Sequence, residues 1–136
     1  MKLFKGRKGF TLIELLVVIL ILAILLAIAM PLYLRAVADS EKRTCQSNMQ
    51  TIATAVQAYR VHHASHQYPA DLTALTTPDA AGDPVDLQAV PVCPNAGTYS
   101  VVYEPSGSAD PADPTTVTGF HINCTTHGDF TPSVVG

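Results

Sequence analysis

The chain has 136 residues, with eight basic and eleven acidic side chains and no tryptophan. This length corresponds to one domain. Half of the basic residues precede Gly9 and all of the acidic residues follow it, so the rest of the chain is strongly acidic. An acidic body argues against non-specific nucleic-acid binding, which needs a basic surface, and no nucleic-acid partner is predicted.

The longest apolar segment follows the basic cluster directly. Residues 15–30 carry no charged side chain, no polar side chain and no glycine, and twelve of the sixteen are Leu, Ile or Val. At about −0.5 kcal/mol each, they favour bilayer insertion by about 6 kcal/mol, whereas the carboxylate of Glu14 costs at most about 3.5 kcal/mol. A helix over residues 10–34 would be about 37 Å long, enough to span a membrane. The basic cluster predicts a cytoplasmic N-terminus and an extracytoplasmic remainder, where a disulfide can persist.

Two ordinary interpretations of this segment compete. A basic start, an apolar run and the sequence AIA at residues 27–29 are typical of a secretory signal peptide. Cleavage after Ala29 would then release a soluble, secreted binding module. The segment could also be a plain membrane anchor. Neither interpretation explains why the sequence GFTLIE, which ends in a carboxylate, stands at the boundary of the apolar run.

The stretch KGFTLIELLVVILILAILLAIAMP, residues 8–31, resembles the N-terminus of type IV pilins and type II secretion pseudopilins. In that family a prepilin peptidase cuts after the glycine and methylates the new N-terminus. The resemblance therefore implies cleavage between Gly9 and Phe10, and it matches the family's glutamate to Glu14 and its proline to Pro31. It also implies partners: other pilin or pseudopilin subunits, the peptidase, an inner-membrane platform protein and, indirectly, an assembly ATPase.

A lone carboxylate in hydrocarbon needs a partner. Cleavage would create a positive amino group on Phe10, which Glu14 of a neighbouring subunit could pair with during assembly. Pro31 deletes one helical hydrogen bond, and we expect a bend or a melted turn there rather than a stop. The resemblance places the chain in the bacterial inner membrane and then in a periplasmic or cell-surface filament.

The segment after Pro31 has a helical pattern. Cys45, Ile52 and Tyr59 are spaced by seven residues, and no glycine or proline interrupts residues 32–67. We predict an amphipathic helix over residues 35–67 that ends before Pro69. Its pattern, CQSNMQTIATAVQAYRVHHASHQYP, also resembles the family, though more weakly.

The remainder, residues 68–136, is predicted to be a small globular head. Residues 98–103 and 116–124 are rich in β-branched and aromatic side chains and predict an antiparallel hairpin with a long loop. A third short strand is possible over residues 129–135. The expected fold class is α+β and pilin-like: a leader of residues 1–9, a membrane-spanning helix, its amphipathic continuation, and a small antiparallel sheet packed against that continuation.

The chain has three cysteines, so at most one intramolecular disulfide forms. Cys93 and Cys124 flank the hairpin, in a pattern that resembles the C-terminal modules of some short pilin-like proteins. That resemblance implies a Cys93–Cys124 disulfide, worth about 3 to 4 kcal/mol. Cys45 lies on the helix stripe and is interpreted as a small buried residue, with a disulfide to Cys45 as the main alternative.

The sequence gives no sign of an enzyme: no Ser-His-Asp order, paired catalytic carboxylates, phosphate-binding glycine loop or CxxC motif is apparent. No cofactor and no metal site are predicted. Asp110 and Asp113, in an oxygen-rich loop, are weak candidates for calcium ligands. His62 and His66 have the spacing of a helical metal pair, but a solvated helix end is the simpler interpretation.

Overall fold

The computed structural model describes residues 9–63, 66–78, 82, 84–105 and 107–132. Helix α1 (Leu12–His62) is followed by strands β1 (Tyr99–Glu104), β2 (Gly119–Cys124) and β3 (Gly128–Phe130). The strands form one antiparallel sheet in the order β1-β2-β3. The predicted α+β class is confirmed. Residues 1–8 of the predicted leader and residues 133–135 of the predicted third strand lie outside the described residues.

The chain divides into two compact units, Met1–Asp39 and Ser40–Gly136. In the first unit, every described residue is exposed. α1 runs through Pro31 without interruption, so the helix does not stop there, as predicted, and the turn is helical rather than melted. Proline fits inside a helix only with the loss of one hydrogen bond.

The end of α1 differs from the prediction. The helix stops at His62 rather than Gln67. The N–H of His66 bonds to the carbonyl of His63 at 2.9 Å, and His66 has a φ of 53°, in the left-handed region. The chain therefore turns before Tyr68 and Pro69, since one residue with left-handed backbone angles is enough to end an α-helix.

The described residues of the second unit form one hydrophobic core. The α1 side chains that enter it recur at helical spacing, as predicted: Cys45, Met49, Ile52, Ala53, Ala55 and Val56. Leu75 is buried and Leu72 is half-buried, in a turn that the Asp71 carboxylate stabilises by accepting bonds from the N–H groups of Thr73 and Ala74. Leu75 belongs to this core, and Leu72 packs against it.

The sheet covers the same core. On β2, burial alternates with period two, and Phe120, Ile122 and Cys124 face inward. In the β1–β2 register, Tyr99 lies opposite Cys124 and Tyr103 opposite Phe120. This arrangement confirms the predicted hairpin and brings the end of β2 next to the start of β1.

Candidate functional site

The first candidate site is the start of α1. Thr11 immediately precedes the helix, and its N–H and its hydroxyl both donate to Glu14 Oε2, at 3.0 and 2.9 Å. The N–H of Glu14 in turn donates to the Thr11 hydroxyl at 3.3 Å. This reciprocal pattern is a capping box. Glu14 thus has a local role that the sequence interpretation missed, although the T-x-x-E spacing of TLIE signals it.

The surface that follows this cap is apolar and uncovered. Its large side chains are between 47% and 80% exposed from Phe10 to Leu34, with Val17 and Val18 at the lower limit. Among the described residues, α1 is the one helix that is long and apolar enough to cross a membrane. Such a surface needs a lipid or protein environment, because water cannot be its stable partner.

The residues predicted for processing and assembly lie along this segment. Gly9 and Phe10 come just before the cap, with Glu14 in the first turn. Pro31 lies 17 residues after Glu14, which is about 25 Å along the helix axis. The structure therefore places Gly9, Phe10 and Glu14 together and Pro31 separately.

The second candidate site is a cluster of three cysteines and one histidine in the second unit. The Sγ atoms of Cys93 and Cys124 are 3.8 Å apart, and His127 Nδ1 is 3.6 Å from the first and 3.9 Å from the second. With Cys45 included, the four ligand atoms lie within 4.8 Å of one another. We call these four residues the Cys₃His cluster.

Each member of the Cys₃His cluster comes from a different part of the fold. Cys45 is on α1, Cys93 is in the loop before β1, and Cys124 is the last residue of β2. His127 is in the tight turn between β2 and β3. The core packing of α1 and the β1–β2 register bring these distant positions together.

The cysteine environments differ. At Cys93, burial disfavours the thiolate, but the backbone N–H groups of Asn95 and Gly97, with Cys124 and His127, outweigh it and lower the pKa of the thiol to about 6. The Cys93 thiol is therefore more readily ionised near neutral pH than an ordinary cysteine.

At Cys45 burial dominates. It raises the pKa of the thiol to about 11, although the Tyr99 hydroxyl donates to the sulfur at 3.4 Å. Asn48 Nδ2 donates to the Tyr99 hydroxyl and to the carbonyl of Val92, both at 3.1 Å. This chain of hydrogen bonds ties α1 to the loop that carries Cys93 and to the start of β1.

Gly97 lies directly against one side of the cluster. A Cβ atom at this position would lie 2.8 Å from Cys124 Sγ and 2.7 Å from Thr126 Oγ1. Any side chain here would displace the sulfur, because real Cβ contacts are longer. The glycine lets the loop backbone approach the cluster closely.

The predicted Cys93–Cys124 pair is adjacent in space, but all three cysteines are free thiols in the structure. The disulfide stays a prediction. Sequence reasoning missed the participation of Cys45 and His127. The signal available was the C-x-x-H spacing of Cys124 and His127, a common ligand spacing, combined with the position of Cys45 on the buried stripe.

The weaker candidates have local roles. Asp110 Oδ1 accepts from the N–H of Ala112 at 2.9 Å, and Asp113 Oδ1 accepts from the N–H and hydroxyl of Thr115 at 3.0 and 2.7 Å. The two bonds from Thr115 lower the pKa of Asp113, and the bond from the Thr115 hydroxyl contributes most. Within the described residues, neither aspartate belongs to a group of three or more metal-type ligands.

His62 and His66 do not form a pair. His62 Nδ1 lies 2.9 Å from Asp86 Oδ1, and His66 Nδ1 lies 3.2 Å from the carbonyl of Arg60. Their separate partners agree with the interpretation of an ordinary helix end.

Comparisons with known proteins agree with the first site. The family described as "Prokaryotic N-terminal methylation motif" matches residues 4–30. Competence protein ComGC of Halalkalibacterium halodurans is 32% identical over 74 residues, which are 54% of this chain and 71% of that protein. The ComG operon protein 3 homolog of Bacillus licheniformis is 38% identical over 58 residues, 43% of this chain and 60% of that protein. No solved structure gives a significant match.

The motif lies on the segment where the structure shows a capped, uncovered apolar helix, and the similarity to competence protein ComGC extends well beyond that motif. The chain is therefore a membrane-anchored, pilin-like filament subunit and belongs to the type IV pilin-like family.

Proposed function

We propose that the chain is a subunit of a competence-type type IV filament, cleaved between Gly9 and Phe10 and methylated on the new N-terminus. The name of one relative, competence protein ComGC, assigns that protein to competence, which favours this filament over a type II secretion pseudopilus. Its role is structural rather than catalytic. The peptidase, an inner-membrane platform protein and an assembly ATPase are the machinery that this function needs.

The observation that carries the proposal is the uncovered apolar half of α1, which begins one capping residue after Phe10. Before assembly the bilayer covers this surface, with the N-terminus cytoplasmic and the head extracytoplasmic. In the periplasmic or cell-surface filament, neighbouring helices cover it. In either environment, each covered apolar side chain avoids a cost of about 1.5 to 3 kcal/mol for exposure to water.

In the filament, Glu14 pairs with the amino group that cleavage creates on Phe10 of a neighbouring subunit. The capping box holds the carboxylate at the first turn, close in sequence to this new terminus. Pairing offsets the cost of placing both charges in an apolar core, and it fixes the register between subunits.

The test separates the charge of Glu14 from its capping role. Glu14→Gln keeps a capping-box residue but removes the charge, whereas Thr11→Ala removes the cap but keeps the charge. We expect Glu14→Gln to lower filament yield at least about tenfold, because an unpaired amine in the core costs about 3 to 5 kcal/mol. Thr11→Ala loses about 1 kcal/mol of helix stability and assembles far better.

Asp39→Asn is the matched control, since Asp39 is an exposed acid on the same helix. Membrane-anchored protein is measured by immunoblot and filaments by shearing and electron microscopy. Normal filaments from Glu14→Gln together with defective filaments from Thr11→Ala would show that Glu14 acts only as a cap.

A further inference from the structure

We propose that the Cys₃His cluster of Cys45, Cys93, Cys124 and His127 is a structural zinc site. The inference rests on the spacing of four ligand atoms, their burial and the hydrogen bonds around them. It does not depend on the proposed filament, because the cluster lies wholly within the second unit.

The spacing of the Cys93, Cys124 and His127 ligand atoms fits a tetrahedral ion, and Cys45 Sγ lies within 4.8 Å of all three. With Zn–S near 2.3 Å and Zn–N near 2.0 to 2.1 Å, the edges of a regular tetrahedron are about 3.8 Å between sulfurs and about 3.6 Å between sulfur and nitrogen. The structure has 3.8 Å between Cys93 Sγ and Cys124 Sγ, and 3.6 and 3.9 Å from these sulfurs to His127 Nδ1. A disulfide needs about 2.05 Å.

The chemistry of the donors also fits zinc. Three thiolates and one neutral imidazole are a standard closed set for structural zinc, and soft sulfur ligands disfavour calcium and magnesium. The three cysteines are at most 2% exposed, while His127 is half-buried and directs Nδ1 at the sulfurs. All four positions are filled by the protein, which indicates a structural rather than a catalytic ion.

The surrounding donors are those that a thiolate site requires. The N–H groups of Asn95 and Gly97 donate to Cys93, and the hydroxyl of Tyr99 donates to Cys45. Such outer contacts orient ligands and offset the net negative charge that three thiolates leave on a zinc ion.

The ion would join the parts of the head. Binding would release the thiol protons and link α1 to the loop before β1 and to the end of β2. A small head with one core gains stability from such a link, as other small domains do. The predicted Cys93–Cys124 disulfide uses two of the same sulfurs and does not involve Cys45 or His127.

The experiment uses the full chain in detergent, purified without chelator, with zinc measured by elemental analysis and affinity by competition with a chromophoric chelator. We expect one zinc per chain. Cys45→Ser and His127→Ala should each weaken zinc binding more than about 100-fold, the upper range for losing only an outer-shell partner. His127 lies in a turn, so His127→Ala keeps the test valid if Cys45→Ser fails to fold.

His121→Ala is the matched control. His121 lies on β2 but contacts Glu104 at 3.3 Å and Asp129 at 3.8 Å instead of the cluster. It should bind zinc like the parent chain. Cobalt(II) is the second probe: intense thiolate-to-cobalt absorption in the near ultraviolet should appear in the parent chain and in His121→Ala, and weaken in Cys45→Ser.

Three results would overturn the proposal. The first is a metal-free chain with a Cys93–Cys124 disulfide in non-reducing peptide maps. The second is three free thiols with no zinc taken up after reduction and incubation with zinc. The third is equal zinc binding by His127→Ala, Cys45→Ser and the parent chain, which would mark the metal as adventitious.

Discussion

Helix α1 extends through both units of the chain, but its apolar side chains are exposed in the first unit and mostly buried in the second. Ile24, in the first unit, is 55% exposed, whereas Ile52, in the second, is fully buried. Both are isoleucines inside α1. The apolar side chains of the first half of the helix are exposed and need a membrane or other subunits to cover them. The second half forms one wall of a hydrophobic core. Both halves are therefore helical, and they differ in what covers their apolar side chains.

The largest expected effect comes from the same substitution in both halves. Ile52→Ala should lower the free energy of unfolding of the head by about 2 to 5 kcal/mol, because it leaves a cavity in a closed core. Ile24→Ala should change it by less than about 0.5 kcal/mol. Urea titration in detergent, followed by tyrosine fluorescence, measures both. Equal losses would show that the two units unfold together.

A second pair of variants removes a tyrosine hydroxyl from each unit. The Tyr103 hydroxyl donates to the carbonyl of Pro69 inside the head, whereas Tyr33 is exposed on the first half of α1. Tyr103→Phe should cost about 1 to 3 kcal/mol, since the carbonyl loses its partner. Tyr33→Phe should leave the head unchanged in the same urea titration, and a loss of similar size there would contradict the assignment of Tyr33 to a separate unit.

The smallest expected effect is on the pH dependence of the stability of the head. Hydrogen bonds from Thr73 and Thr115 lower the pKa of Asp71 and Asp113 below the ordinary value of 3.8. The unfolded chain therefore binds protons first as the pH falls, so this stability is present above pH 3.8 and is lost below it.

The check is the thermal midpoint of the head between neutral and acid pH. Asp71→Asn and Asp113→Asn keep a capping side chain without titrating, so the double variant should show a shallower decline below the ordinary aspartate range. An unchanged slope would mean that other carboxylates control the acid transition.

Much of this structure could be predicted from the sequence because the signals are local. The apolar run, the seven-residue spacing of Cys45 and Ile52, and the β-branched strands each follow from a short window. The helix end could not be placed, because no glycine or proline precedes the left-handed turn at His66. Thr11 was missed even though its spacing from Glu14 is a known capping signal.

The Cys₃His cluster could not be predicted from short sequence patterns, for a different reason. Cys45 was correctly placed on the buried stripe, but a helical pattern does not tell which distant residues the stripe meets. The β1–β2 register decides that Cys124 arrives beside Cys93, and the turn after β2 decides where His127 points. Contacts between such distant positions depend on tertiary packing.

The most direct test of the central claim is the intact mass and N-terminal sequence of the chain isolated from its native membrane. We expect a chain that begins at a methylated Phe10, because cleavage after Gly9 is what makes the apolar half of α1 a filament segment. A chain that begins at Met30 would show cleavage after Ala29 by an ordinary signal peptidase. The apolar half would then be discarded rather than assembled, and the proposed role of Glu14 would be wrong.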